Sequence, residues 1–170
     1  MKNLSFKSGD HIRFDPSLSV MLSSESLFKT PRVPGRISRV EPLHLEEPAM
    51  TLPSWQIDGE DGSVFLLVED KAANLWFLLR LMAESSHPGG MPAWVEQDDY
   101  AVAAPGGQTL AFDYYSPPML GRLAGDNLLL RVYIRPVEDS EEFLWVILRN
   151  DTRLEHWIGI VIDPAQLLPG

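Results

Sequence analysis

Apolar residues are most concentrated near the end of the chain, in two short runs separated by a polar break. The runs cover residues 143–148 and 157–162 and are rich in β-branched and aromatic side chains, while Asn150-Asp151 between them favours a turn. The pattern predicts a β-hairpin. Because neither strand has a polar face, we expect this hairpin to lie in the middle of a sheet, buried on both sides.

Several segments before this hairpin also have the pattern of short strands joined by tight turns. They are residues 55–57 with 63–69, residues 100–104 with 109–115 around Pro105-Gly106-Gly107, and residues 128–135. Residues 71–85 are ambiguous, because their leucines fit one helical stripe and also fit a buried strand that follows a turn. We favour the strand.

Residues 1–53 have the least regular pattern and contain six of the 14 prolines. Short strands are predicted at 11–14 and 35–40. Between them, Asp15-Pro16 is typical of the start of a helix, but the apolar residues from 12 to 22 also fit the two-residue period of a strand. Both interpretations stay open, as does the question of whether residues 1–53 form a separate module.

These patterns predict a single domain over residues 1–170, with an irregular portion at 1–53 and a regular β portion at 54–170. The predicted fold class is mainly β, or α+β with one or two short helices. We expect about nine to eleven short antiparallel strands in a barrel or a two-layer sandwich.

The composition excludes several classes of protein. The chain is 45% hydrophobic and 22% charged, as expected of a folded protein, and no apolar run approaches the roughly 20 residues that cross a membrane. The first ten residues lack the apolar stretch of a signal peptide, and there is no cysteine, so we expect a cytoplasmic location. A net charge of −10 argues against nucleic acid as a ligand, because it repels phosphates.

The sequence has no recognisable catalytic or metal-binding motif. Its four histidines lack the spacing of metal ligands, and no glycine-rich phosphate loop or nucleophile elbow occurs. Glu155 and His156, the best acid–base candidates, would point to opposite faces of a strand. We therefore predict no catalytic residues, no metal and no cofactor.

Four aromatic residues lie beside loops rather than inside predicted core strands: Trp94, Tyr100, Tyr114 and Tyr115. Pairing of the strand at 100–104 with that at 109–115 would bring Tyr100 close to Tyr114 or Tyr115, beside the acidic residues 96–99. These rings either form an interaction surface for a partner with apolar and basic groups or close one end of the core.

The leading functional hypothesis is a non-enzymatic cytoplasmic protein that binds another protein or a second copy of itself. An alternative is a β-barrel that binds a small apolar or aromatic ligand in a cavity. A second alternative is a metal-dependent hydrolase that uses His44, His156 and carboxylates.

Overall fold

The structure, a computed structural model, describes residues 6–22, 25–47, 49–104 and 106–170, so Pro105 of the predicted turn lies outside the described residues. One short α-helix, α1, covers Ser17–Met21, and two 3-10 turns cover Ala93–Glu96 and Pro164–Gln166. The remaining elements are fourteen β-strands: β1 His11–Phe14, β2 Gly35–Val40, β3 Leu43–Glu46, β4 Ala49–Leu52, β5 Ser54–Gly59, β6 Val64–Asp70, β7 Leu75–Ser86, β8 Asp99–Ala103, β9 Thr109–Tyr114, β10 Met119–Leu123, β11 Asp126–Val137, β12 Ser140–Arg149, β13 Arg153–Val161 and β14 Leu167–Pro169.

The predicted class, mainly β with antiparallel strands, is confirmed, but two details of the prediction are wrong. There are 14 strands rather than nine to eleven, and they form one sheet that is not closed into a barrel. The strand order is β14-β1-β2-β5-β6-β7-β13-β12-β11-β10-β3-β4, with β8 and β9 attached to β11. Much of the extra count comes from short strands in the irregular portion, such as the β3–β4 hairpin between Pro42 and Pro53.

The sheet stays open because its terminal strand meets no free edge. β4 continues through Pro53 directly into β5, and β4 also lies near β6. β5 already pairs with β2 and β6, and β6 already pairs with β5 and β7. β5 and β6 are therefore each paired with another strand on both sides, and the sheet is not closed.

The predicted hairpin at the end of the chain is confirmed as β12 and β13, which pair with each other in the middle of the sheet. Asn150 and Asp151 in its turn have φ values of 49° and 58°, the left-handed conformation that Asn and Asp tolerate best among non-glycine residues. Successive residues of β12 are buried on opposite faces of the sheet, as expected for a strand without a polar side.

These faces belong to two hydrophobic cores. The first core contains Leu144 and Val146 and is covered by the N-terminal strands, α1 and the β8–β9 hairpin. The second core contains Trp145 and Ile147 and is covered by β3, β4 and β10.

The two ambiguous segments are resolved. Residues 75–86 form the strand β7, as favoured from the sequence, because the segment pairs with β6 on one side and β13 on the other. Residues 17–21 form the helix α1 rather than a strand. Its first N–H, on Ser17, donates to the Asp15 carboxylate at 2.8 Å, and Leu18 is fully buried in the first core.

We predict that replacing Trp145 with alanine lowers the free energy of unfolding by about 3–5 kcal/mol, because a large buried ring would leave a cavity in the second core. Chemical denaturation measures the change. Val20→Ala, at a side chain that is 86% exposed, is the control and should change stability by less than about 0.5 kcal/mol. Equal effects of the two substitutions would contradict the central position of β12.

Candidate functional site

The β8–β9 hairpin is joined to the main sheet along only a short stretch. β9 pairs with β11 at two positions, and the second of these places Asp113 opposite Ile134. Continuing this register would bring Ala111 opposite Pro136, which has no N–H to donate to the ladder. Pairing ends there, and the rest of the hairpin leaves β11 and crosses over the first core, into which it buries Val102.

Three polar side chains on the same face of β11 hold the irregular segments against the sheet. We call Arg131, Tyr133 and Arg135 the polar row. The Arg131 guanidinium donates to the carbonyl oxygens of Trp94 and Val95, and the Tyr133 hydroxyl donates to the Trp94 carbonyl at 2.8 Å. Buried donors of this kind need acceptors, and here the 3-10 turn before β8 supplies them.

The polar row explains why two of the predicted site residues lie in the core. The Trp94 side chain is buried among first-core residues, because the turn that carries it is drawn onto β11. Tyr100 is partly buried, and its ring packs against Tyr133 and His156. The structure therefore does not bring all four predicted aromatics together on one exposed surface.

The predicted pairing of Tyr100 with Tyr114 or Tyr115 is also wrong. The register places Tyr100 opposite Phe112, because the hairpin is centred on Gly106, whereas a pairing of Tyr100 with Tyr114 needs a hairpin centred one residue further along. Tyr114 and Tyr115 are both exposed. They lie on opposite sides of the sheet, since Tyr114 packs under Arg131 while Tyr115 packs edge-on against Phe143.

Carboxylates surround the start of β8. Asp99 lies directly opposite Asp113 on β9, and neither forms an ion pair with another described residue. Asp98, just before the strand, is highly exposed and lies 3.5 Å from the Arg131 guanidinium. Like charges directly opposite each other destabilise a pair of strands. This corner of the hairpin would therefore be stabilised by a basic group from outside.

The outer side of β8 is a free strand edge. The Ala104 N–H donates to the Gln108 carbonyl at 2.8 Å, which fixes the alternation of the β8–β9 ladder. Successive residues of a strand direct their N–H and C=O groups alternately toward and away from the paired strand. Since those of Ala104 point toward β9, those of Asp99, Ala101 and Ala103 point away from it. Within the described part of the chain β8 pairs with no other strand, so these groups have no ladder partner. All three side chains are exposed.

The two other edge strands of the described sheet are better protected. β14 is only three residues long and ends in Pro169, and the four-residue β4 runs into Pro53 and lies near β6. Proline, short length and cover are the usual protections of a sheet edge. β8 has five residues and contains neither proline nor lysine. The hairpin thus combines an acidic corner with an unprotected edge, and we call the two together the hairpin surface.

A hydrogen-bonded pair lies under the hairpin. The Tyr100 hydroxyl is 2.6 Å from His156 Nε2. Burial lowers the pKa of His156 and raises the pKa of Tyr100, so both groups are neutral near pH 7. As predicted, Glu155 points to the other face, where it is buried against Arg149 at 2.8 Å. His156 therefore has no neighbouring carboxylate on its strand to complete an acid–base relay.

No metal centre emerges from the histidines and acids of the described residues, among which no group of three could hold an ion. His44, one of the residues of the hydrolase hypothesis, is exposed on β3 and bonds to Thr51 at 3.1 Å, away from the Tyr100–His156 pair. None of the described helices is long and apolar enough to span a bilayer. No family model, curated protein or solved structure matches the chain.

Sequence reasoning missed the polar row and the free edge. The polar row could have been predicted from the alternation of polar and apolar residues between Arg131 and Arg135. In a strand this alternation places three polar side chains on one face. Pro136, directly after it, was a signal that pairing on one side of β11 would end.

We predict that protonation of His156 destabilises the fold. Because burial lowers the pKa of His156 in the folded protein, the unfolded chain, with a histidine pKa of about 6.5, binds the proton first. The free energy of unfolding should fall as the pH drops below about 6.5, and it should fall less steeply in His156→Gln. Denaturation between about pH 7.5 and 5.5 measures this. Val20→Ala, at an exposed side chain without an ionisable group, should keep the wild-type slope; the same slope in all three proteins would contradict the prediction.

Proposed function

We propose that this protein binds another protein by accepting an extended segment of the partner along the free edge of β8. The observation that carries the proposal is the row of outward backbone groups on Asp99, Ala101 and Ala103, which have no ladder partner. An added strand would bond to these N–H and C=O groups, a mode of recognition in which the main chain supplies affinity and the side chains supply specificity.

The side chains along this edge suit such a partner. Ala101 and Ala103 are small and exposed, so a second strand can approach at the usual spacing of about 4.8 Å without a clash. Val102 between them points into the first core and fixes the strand in place. The strand is therefore already formed before binding, which lowers the entropy cost of association.

The charges favour a basic partner over a second copy of the chain. Asp98, Asp99 and Asp113 lie at one end of the edge, and a lysine or arginine of the added strand would relieve the repulsion between the paired carboxylates. A second copy would supply the same acids rather than a basic group, and each chain carries a net charge of −10. Tyr114 would lie across from Asp98 if the β8–β9 register continued, and its exposed ring offers an apolar contact beside the acids.

The cytoplasmic location and the exclusion of nucleic acid belong to the same proposal. Both rest on the sequence, on the absence of cysteine and on the net charge of −10. A partner that carries a basic, β-prone segment is the class of molecule that this surface fits.

We predict that Ala101→Pro abolishes peptide binding while the protein stays folded. The N–H at this position faces outward, so proline removes a donor from the free edge and none from the β8–β9 ladder. The probe is a phage-displayed library of random peptides selected on the wild-type protein, followed by affinity measurement of the enriched peptides. Ala101→Thr, which keeps the N–H, is the matched control and should bind like the wild type.

We expect the enriched peptides to combine β-branched residues with lysine or arginine, and to bind Ala101→Pro at least about tenfold more weakly, a loss of about 1.4 kcal/mol. Melting curves of both variants check the fold. A library that yields no peptide, or peptides that bind Ala101→Pro and the wild type equally, would rule out the edge as the binding site.

A second pair of variants tests the charge. Asp99→Asn combined with Asp113→Asn should weaken the basic peptides several-fold and raise the stability of the free protein by about 0.2–1 kcal/mol, because the repulsion is removed. The control is Glu46→Gln combined with Glu47→Gln, which makes the same change in net charge on exposed residues in and just after β3. It should change neither the affinity for basic peptides nor the stability of the free protein. Equal losses of affinity in both double variants would show that only the overall charge matters.

A further inference from the structure

A cavity of about 690 Å³ lies where the hairpin leaves β11. It is bounded by the tip of the β8–β9 hairpin, the end of β7, the segment at 25–29 and Arg135 on β11. The space follows from Pro136, because the hairpin would otherwise continue along β11 and cover this position. Its volume is within the range of about 300–1,000 Å³ typical of small-molecule sites.

One wall of the cavity carries Arg135, a cation that is already ion-paired within the protein. Arg135 is only 9% exposed, and its Nε and Nη2 atoms bond to Glu142 at 2.9 and 2.8 Å. Nη2 also donates to the Glu25 carbonyl at 2.8 Å, but Nη1 makes no hydrogen bond to any described residue. Nη1 is not fully buried, so the oxygen of a ligand in the cavity would accept a charge-assisted hydrogen bond from it in place of water.

A second cation, Lys29, lines the same cavity. The Lys29 side chain is exposed and forms no ion pair with another described residue. Glu142 neutralises Arg135, and the lining also includes Glu25, so the site is not broadly positive. It offers instead two localised donors, Nη1 of Arg135 and the Lys29 ammonium, which suit one compact anionic head group better than a large polyanion.

The remaining walls are aliphatic. Leu27, Met82 and Leu110 line the cavity, and Met82 is 37% exposed in spite of its apolar side chain. An aliphatic chain that fills the cavity would cover these side chains and gain about 25 cal/mol for each Å² of apolar surface removed from water.

We propose that this cavity binds an aliphatic monocarboxylate, with the carboxylate at Arg135 and Lys29 and the chain against Leu27, Met82 and Leu110. This inference does not rest on the proposed peptide site: Ala103 borders both, but the peptide site uses the outward backbone groups of β8, and the cavity is defined by the side chains that line it. Carboxylate geometry matches a guanidinium edge and an ammonium group together, and the chain matches the aliphatic walls.

The experiment compares three probes that share one chain and differ in the head group: decanoate, decanol and decyltrimethylammonium, each below its micelle concentration in isothermal titration calorimetry. The wild-type protein should bind decanoate at least about tenfold more tightly than decanol and should bind the cation most weakly. No binding of decanoate, or equal binding of the three probes, would overturn the proposal.

Variants then locate the site. Lys29→Met should remove most of the preference for decanoate over decanol while leaving decanol binding unchanged. Lys71→Met, the matched loss of an exposed lysine in the turn after β6, should keep the preference. Ala104→Phe, which fills the cavity from the hairpin tip, should weaken all probes without changing peptide binding at the β8 edge. An effect of Lys71→Met equal to that of Lys29→Met, or an Ala104→Phe variant that is folded and binds normally, would place the ligand elsewhere.

Discussion

The polar row on β11 is the constraint on which the candidate site depends. Arg131, Tyr133 and Arg135 project from a buried strand into the first core, where unpaired donors would cost several kcal/mol in total. Besides the Glu142 carboxylate, their acceptors include the Trp94 carbonyl in the 3-10 turn before β8 and the Glu25 carbonyl in the segment before β2. The segments that cover the first core are therefore positioned by polar bonds to the sheet as well as by apolar packing.

The position of the hairpin follows from this constraint together with one proline. The polar row fixes the 3-10 turn that leads into β8, and the pairs at Tyr114 and Asp113 fix the end of β9. Because Pro136 has no N–H to donate to β9, the tip of the hairpin does not pair with β11. A hairpin that is attached to β11 at one end only has an edge strand with one free side and a space beside its tip, so the same few residues produce both the β8 edge and the cavity.

The parts of the fold that could be predicted from the sequence are those encoded locally. The β12–β13 hairpin has continuous apolar runs and a turn that Asn150 and Asp151 favour, and β7 has a run of large apolar residues between turns. The open sheet and the β3–β4 hairpin could not be predicted, because they depend on which distant edges are already occupied. The burial of Trp94 is of the same kind, since its cause is a set of donors 37 and 39 residues further along the chain.

Three features that oppose local stability lie together at the hairpin. Like-charged residues also face each other elsewhere, as Glu155 faces Glu84, but there Arg153 forms ion pairs with both carboxylates, whereas Asp99 and Asp113 have no ion pair among the described residues. Two like charges opposite each other destabilise a pair of strands. An edge strand without proline or lysine is open to pairing with other chains. A proline removes a hydrogen-bond donor from the ladder. Here Asp99 with Asp113, the β8 edge and Pro136 belong to one hairpin and its attachment to β11. Rule-breaking residues in natural proteins concentrate where function requires them. The well-packed β12–β13 centre contributes stability that offsets the cost of this corner, which leaves the hairpin free to keep an acidic pair and an open edge.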